Sequence, residues 1–354
     1  MKIGIPKALS FYNFYPFWYG FFTDLGIEIV LSDNTTKKTM TDGAALVVSE
    51  TCLPVKVYVG HVLNLLSKGI DKIFVPSIQS IAPKIYNCSK IRGLPDLIRN
   101  VVKHDFTIIE ATLDKSEKKQ GLFEFLKEAA APFGITDENA IKRASKKGWQ
   151  MYNNFKVMTQ AGLPFKEALK YTIQDKVIIS KNAKTYPISI AVIAHGYNLY
   201  DERVSMKIFD KLEDLDVRVF TAEQLTTEKM DEGISSANSN LYWANEQEIT
   251  GAAAHYVQDK TIDGVIAINA FGCGPDSLMI EKISKFSKEN KKPFLNISID
   301  EQTGEAGFVT RVEAFVDMLY RKKRASIVKN IEIEEKPMLT PEEIRERIDS
   351  SINH

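Results

Sequence analysis

Residues 2–31 have the sequence KIGIPKALSFYNFYPFWYGFFTDLGIEIVL, and this stretch decides the fold. Lys2–Ile5 predicts a short strand, and Ile27–Leu31 predicts a second strand directly after Gly26. The segment between them predicts an amphipathic helix, because its apolar residues recur at spacings of four and three: Phe11, Tyr15, Trp18, Phe22 and Leu25. A strand, a helix and a second strand in this order predict a parallel pair, since parallel strands need a crossover connection.

The same alternation continues along the chain. In the N-terminal half we expect a buried strand at Ala44–Val48, a helix at Val55–Leu66 and strands at Asp71–Val75 and Thr107–Ile109. The C-terminal half repeats the theme, with LDVRVFTAE standing where the first half has LGIEIVLSD. Its expected elements are strands at Ile188–Ile193, Val217–Phe220, Gly264–Ile268 and Phe294–Ile297, and helices at Val204–Leu215, Trp243–Val257, from Ser277 and at Glu305–Leu319.

These elements predict an α/β protein with two Rossmann-like or flavodoxin-like parallel-sheet domains that face each other across a cleft. The expected domains are residues 1–120 and 186–325. A helical connector, residues 121–185, is expected to join them, with Thr136 as an N-cap. Residues 326–354 form an expected tail helix that opens with the capping box at Thr340–Glu343.

The amino-acid composition indicates which kinds of molecule the protein binds. The 354 residues carry 46 basic and 46 acidic side chains, so no overall field attracts nucleic acid or an anionic membrane surface. The first residues lack the apolar core of a signal peptide, and no stretch has the roughly 18 apolar residues of a membrane span. We therefore expect a cytoplasmic protein whose partners are small molecules or other proteins.

The three cysteines are sparse and odd in number, which argues against a secreted disulfide framework. Cys52, Cys88 and Cys273 each follow a predicted strand and lie near Pro or Gly. Ligands collect beyond the carboxyl ends of parallel strands, so we expect the three thiols to converge on one face of the cleft. Helices beginning after Cys52 and Cys273 would favour the thiolate form. Buried apolar cysteines, a zinc site and an iron site all remain open on this evidence.

Seven stretches carry a resemblance to a known family: MKIGIPKAL with YPFW, ETCLPVKVYVGHV, FVPSI, YNCSKIRGLPDLIRN, HGYNLYD, NAFGCGPDS and DEQTGEAGFVTRVEAF. With them the chain resembles the DUF2229 family, which is related to activators and subunits of 2-hydroxyacyl-CoA dehydratases and to double-cubane cluster proteins. The resemblance implies an oxygen-sensitive [4Fe-4S] cluster held by Cys52, Cys88 and Cys273 in the cleft between the domains. The fourth iron site would stay open to a small ligand.

The resemblance also has limits. An [8Fe-9S] double-cubane cluster needs further cysteines, so it is expected only if two chains share it, and a homodimer is an expectation from the relatives. The sequence has no GxxxxGK[ST] loop that signals nucleotide binding, so an ATP-dependent iron-sulfur activator would be a separate partner. The implied activity is low-potential reduction or dehydration-type chemistry on a small molecule. The alternatives are a non-catalytic electron-transfer or cluster-carrying module and a zinc-stabilised binding protein.

Other polar residues are candidates for the same site. His195 ends the first strand of the second half and is a candidate proton donor, cluster neighbour or fourth ligand, with a structural role about as well supported. Glu50, beside Cys52, is a candidate proton shuttle, against a solvated strand end. Lys56, Lys84 and Arg92 are candidates for binding an anionic substrate, although surface charge explains at least two of them.

Overall fold

The structure is a computed structural model that describes residues 1–116, 121–179, 184–237 and 243–334. The strands are β1 (Lys2–Ile5), β2 (Glu28–Leu31), β3 (Lys72–Phe74), β4 (Ser77–Ala82), β5 (Ile85–Tyr86), β6 (Thr107–Ile109), β7 (Thr112–Asp114), β8 (Ile188–Ile193), β9 (Val217–Phe220), β10 (Gly264–Ala270) and β11 (Phe294–Ile299). The helices are α1 (Phe11–Asp24), α2 (Lys37–Leu46), α3 (Leu53–Ser67), α4 (Ser89–Arg92), α5 (Leu94–Val101), α6 (Leu122–Ala130), α7 (Glu138–Gln160), α8 (Phe165–Ile173), α9 (Gly196–Leu199), α10 (Ile208–Asp214), α11 (Thr227–Ser236), α12 (Ala244–Gln258), α13 (Gly274–Glu289) and α14 (Glu305–Glu334).

Two parallel sheets with the same strand order form the framework. The first has the order β2-β1-β3-β6, and the second, taken from its opposite edge, has the order β9-β8-β10-β11. In both halves the first strand therefore lies between the second and the third. The predicted α/β class with parallel, Rossmann-like or flavodoxin-like sheets is confirmed, and so is the repeated alternation of the two halves.

The central strands are apolar because helices cover both faces of each sheet. Every residue of β10 is buried, and β8 is buried except for Ser189. Such continuous apolar runs are typical of parallel strands. Core residues of both halves belong to one connected cluster, which includes Ile3 from β1 and Ile190 from β8. The two sheets are thus joined through apolar packing.

The predicted strand at Ala44–Val48 is wrong, because helix α2 extends through most of it. Thr36 caps that helix by accepting a hydrogen bond from the backbone N–H of Thr39. Leu46 and Val48, which suggested a buried strand, are exposed. The buried face of α2 consists of small residues that approach α3 closely. The apolar residues of this segment therefore do not lie on its buried face.

Several boundaries also differ. Asp137, not Thr136, caps α7, since its side chain accepts from the backbone N–H of Asn139. Helix α10 begins only at Ile208, because Met206 and Lys207 adopt positive φ angles that interrupt the helix predicted from Val204. Helix α11 and the small sheet β5-β4-β7 were not predicted. The capping box at Thr340–Glu343 lies outside the described residues.

The helices predicted as a connector pack against the first half. α7 contacts α1 along its length, and Gly148 lies so close that an added Cβ would be 2.8 Å from the carbonyl oxygen of Phe17. The division into separate domains at residues 120, 185 and 325 stays a prediction. Within the described ranges, no helix combines the length and the apolar character needed to cross a membrane.

Candidate functional site

All three cysteines line one small cavity between the two halves of the chain. Cys52 and Cys88 come from the first half and Cys273 from the second. None of them forms a disulfide bond. The expected convergence of the three cysteine-containing loops is therefore present in the structure.

Each cysteine occupies the residue immediately before a helix. Cys52 is the N-cap of α3, Cys88 of the short α4 and Cys273 of α13. Cys273 follows β10 directly, whereas β4 and β5 lie between β3 and Cys88. Cys52 follows α2 and not the strand predicted at Ala44–Val48. A loop that leaves the carboxyl end of a strand and turns at once into a helix places its side chains at the strand ends, where open α/β sheets bind ligands.

Burial raises the pKa of the Cys52, Cys88 and Cys273 thiols. Nearby backbone N–H groups oppose this effect for each cysteine, but burial outweighs them. The expectation that helix starts would favour thiolates is thus not met in the metal-free chain. Metal binding requires deprotonated thiols, so a metal or cluster entering this cavity would displace their protons.

His195 lies beside this cavity but does not line it. Its Nε2 atom lies 2.7 Å from Oδ1 of Asp276 and 3.5 Å from Oε1 of Glu246, and all three residues are buried. The His195 ring stacks on Tyr197, with the ring centroids 4.8 Å apart. Burial lowers the pKa of His195, but Asp276 and Glu246 outweigh burial and raise it to about 10. We therefore describe His195 as an imidazolium held between two carboxylates.

Glu246 is the site residue that sequence reasoning missed. It lies in the first turn of α12 and lines the cysteine cavity together with Asn245. Its charge contributes to the raised pKa of Cys88, so the carboxylate acts on the cysteine site. In the sequence, WANEQE reads as an acidic helix start of a common kind. Only the position of α12 beside the cysteines distinguishes Glu246 from such a start.

Together, His195, Glu246 and Asp276 are a group of possible metal ligands whose donor atoms lie within 4.8 Å of one another. The 2.7 Å approach of His195 to Asp276 has the length of a charge-assisted hydrogen bond. Asp276 lies in the first turn of α13, three residues after Cys273. The group therefore forms a polar wall next to the three thiols.

The structure does not bring the other predicted residues to the cavity. Glu50 is exposed, and its backbone carbonyl accepts a hydrogen bond from Lys90. Lys56 is buried, donates to the carbonyl oxygen of Ser49 at 2.9 Å and pairs with Glu301. These contacts occupy Lys56, so it is not available to an anionic substrate.

A second, larger cavity lies on the other side of His195. Asn245 lines both this cavity and the cysteine cavity, so the two adjoin at that residue. Lys156, Glu223 and Glu248 give the second cavity a polar lining. Burial raises the pKa of Glu248, an effect that the nearby Lys156 opposes.

Comparison with known proteins gives two overlapping matches. Residues 2–225, more than half of the 354, match the model of the CoA enzyme activase uncharacterised domain, DUF2229. The chain belongs to the DUF2229 family. Residues 191–319 of this DUF2229 protein also match the model of the 2-hydroxyglutaryl-CoA dehydratase D-component, so its second sheet is similar to that component. No match is found among curated proteins.

Proposed function

We propose that this DUF2229 protein holds one [4Fe-4S] cluster through Cys52, Cys88 and Cys273. The observation that carries the proposal is that three unpaired cysteines, from both halves of the chain, line one cavity. Cysteine thiolates are the usual ligands of such clusters. Apolar residues, among them Leu9 and Ile91, line the cavity beside the polar Tyr197, Asn245 and Glu246, and they would help to shield a cluster from water.

The proposed activity is low-potential reduction or dehydration-type chemistry on a small molecule. When bound, the cluster would supply an electron of low potential and an iron site that the three cysteines leave free. The chain's own part is to place Glu246 and Tyr197 against that site. His195 holds its Nε2 proton toward Asp276 and so keeps Glu246 beside a fixed positive charge. The second cavity, reached past Asn245, gives a small molecule a place to bind.

An ATP-dependent iron-sulfur activator is the proposed electron donor. The family resemblance supports such a partner, and the sequence has no GxxxxGK[ST] loop of its own. The donor would be a separate protein, and the electron would have to reach the cavity between the two sheets. His195 and Glu50 remain candidate participants, with His195 acting through Glu246.

Two other functions use the same cavity. A non-catalytic electron-transfer or cluster-carrying module would need a protein ligand that closes the fourth position permanently and leaves no space for a small molecule. A zinc-stabilised binding protein would use the same thiols, since zinc also binds cysteine and carboxylate ligands. An [8Fe-9S] cluster would require two chains to share it, because this chain has three cysteines.

The test is metal analysis of protein purified without oxygen. We expect about four iron and four acid-labile sulfide per chain, with an electron paramagnetic resonance signal after reduction. Cys273→Ala should lose most of the iron. Ser89→Ala, an exposed change beside Cys88, is the matched control and should keep it. Zinc in place of iron, or no metal, would refute the cluster. Because four iron per chain and eight per pair of chains are the same ratio, the double-cubane alternative would be favoured by a single signal that two chains share.

A further inference from the structure

We infer that Glu246 is the fourth ligand of the cysteine site, and that its carboxylate binds reversibly to the iron that the three cysteines leave free. The inference rests on the proposed function, because it assigns a role to a residue beside the proposed cluster. It goes further by naming the residue that occupies the fourth ligand position of the cluster when no small molecule is bound. His195, the ligand that the sequence suggested, does not line the cavity.

The repeated topology carries the first part of the argument. α3 leads into β3, and α12 leads into β10, so the two helices hold equivalent places in the two halves. The first turn of each reaches the cysteine cavity. α3 brings Cys52, its N-cap. α12 brings Glu246 instead, while its own N-cap, Trp243, does not line the cavity.

Six chain segments line the cavity. Those of Leu9 and Tyr197 follow the first strands of the two sheets, and the other four carry possible ligands and match in pairs. Cys88 and Cys273 follow the third strands of the two sheets. Cys52 and Glu246 belong to the helices that precede those strands. A [4Fe-4S] cluster has four iron atoms to ligate, and three of these four segments supply a cysteine. The fourth segment supplies a carboxylate.

The surroundings of Glu246 support a ligand role. A buried carboxylate is costly unless it is paired, and His195 is its cationic neighbour at 3.5 Å. An ionised carboxylate has two oxygens with about four acceptor positions, so one such neighbour leaves capacity for a further partner. That further partner can lie in the cysteine cavity, because Glu246 lines the cavity.

The chemistry explains why the bond would be reversible. Thiolates are soft ligands that iron-sulfur clusters prefer, whereas a carboxylate oxygen is a hard ligand. Iron should thus hold Glu246 more weakly than it holds the cysteines. Asn245, next to Glu246, lines both cavities. A small molecule in the second cavity would therefore lie close to the bond between Glu246 and iron, and could displace Glu246 from the iron.

The experiment uses the full-length chain, reconstituted with iron and sulfide without oxygen, in three variants. Glu246→Cys places a fourth thiol at the site, and Glu246→Gln removes the anionic ligand. Glu281→Gln, an exposed change on α13 at a residue that lines neither cavity, is the control. Readouts are iron content, the electron paramagnetic resonance spectrum of the reduced cluster, and its titration with cyanide, a ligand for a free iron site.

We expect Glu246→Gln to bind cyanide roughly tenfold more tightly than the unchanged chain. Glu246→Cys should give the spectrum of a fully cysteine-ligated cluster and lose the response to cyanide. Glu281→Gln should match the unchanged chain. If Glu246→Gln does not fold, the gain of a fourth thiol ligand in Glu246→Cys still decides the question.

The inference is overturned, with the cluster intact, if both Glu246 variants hold about four iron and keep the original spectrum and cyanide affinity. A chain that binds no iron before any substitution would overturn the proposed function as well. The two failures are thus distinguished by the iron content of the unchanged chain.

Discussion

Nε2 of His195 lies 2.7 Å from Oδ1 of Asp276, and both side chains are buried. Oδ2 of the same carboxylate accepts a hydrogen bond from the backbone N–H of Ala270 at 3.3 Å. Asp276 therefore ties the end of β8 to the loop that carries Cys273. Two motifs that are 81 residues apart in the sequence meet in this one contact.

Asp276→Asn should destabilise the chain strongly. The substitution leaves the His195 imidazolium buried without its nearest anion, a change that typically costs about 3–5 kcal/mol. Urea unfolding of the metal-free protein measures it. Asp96→Asn, which breaks an exposed pair with Arg99, is the control and should cost less than about 1 kcal/mol. Equal small losses in both variants would contradict a strong buried pair.

A second buried histidine predicts a pH dependence. Nε2 of His61 lies 2.9 Å from Oγ1 of Thr35, whose own hydroxyl donates to Asp201. The ring must therefore donate through Nε2, and its Nδ1 has no hydrogen-bond partner. Burial, reinforced by the charge of Lys7, lowers the pKa of His61 to about 3. The folded chain thus keeps His61 neutral.

The sign follows from proton binding. Between the ordinary histidine pKa, about 6.5, and about 3, the unfolded chain binds a proton at His61 and the folded chain does not. Stability should fall as the pH drops through this range, by about 1.4 kcal/mol per pH unit. His61→Gln should lose about 2 kcal/mol less than the unchanged chain between about pH 7.5 and pH 5. His104→Gln, at an exposed site, should follow the unchanged chain.

Close helix packing predicts a glycine effect. A Cβ at Gly60 of α3 would lie 1.9 Å from the carbonyl oxygen of Thr39 in α2, so Gly60→Ala must push the helices apart. We expect a loss of about 1–3 kcal/mol or more in the free energy of unfolding. Gly307→Ala is the control, because α14 leaves open space there and alanine favours a helix. A thermal unfolding midpoint that moves equally in both variants would show that the close approach is wrong.

The ion pair between Lys56 and Glu301 joins α3 to the loop after β11. Glu301→Gln should cost about 1.5–3 kcal/mol, because Lys56 is buried and loses a charged hydrogen-bond partner. In a double-mutant cycle with Lys56→Met, the double variant should be less destabilised than the sum of the two single losses. Additive losses in urea unfolding would mean that the two side chains do not interact.

The sequence predicted most of the sheet framework, because buried strands such as Ile188–Ile193 are apolar at every position but one, Ser189. It failed where the core face of a helix is made of small residues. Gly43 and Thr39 are the buried residues of α2, whereas Leu46 is exposed. The positions of the hydrophobic residues therefore did not indicate which face of α2 is buried. Small residues allow backbones to approach, and that contact depends on the partner helix.

For the site, the sequence by itself determined which thiols are present and that a helix begins after Cys52 and after Cys273; the strand that it predicted before Cys52 is part of α2 instead. Only the tertiary structure decided what surrounds them. In the structure Glu246 lines the cavity, His195 contacts Glu246 without lining the cavity, and Glu50 is exposed. The reason is that strand and helix signals are local, whereas the neighbours of Cys273 come from α3, α4 and α12, which parallel sheet order brings together from distant parts of the chain.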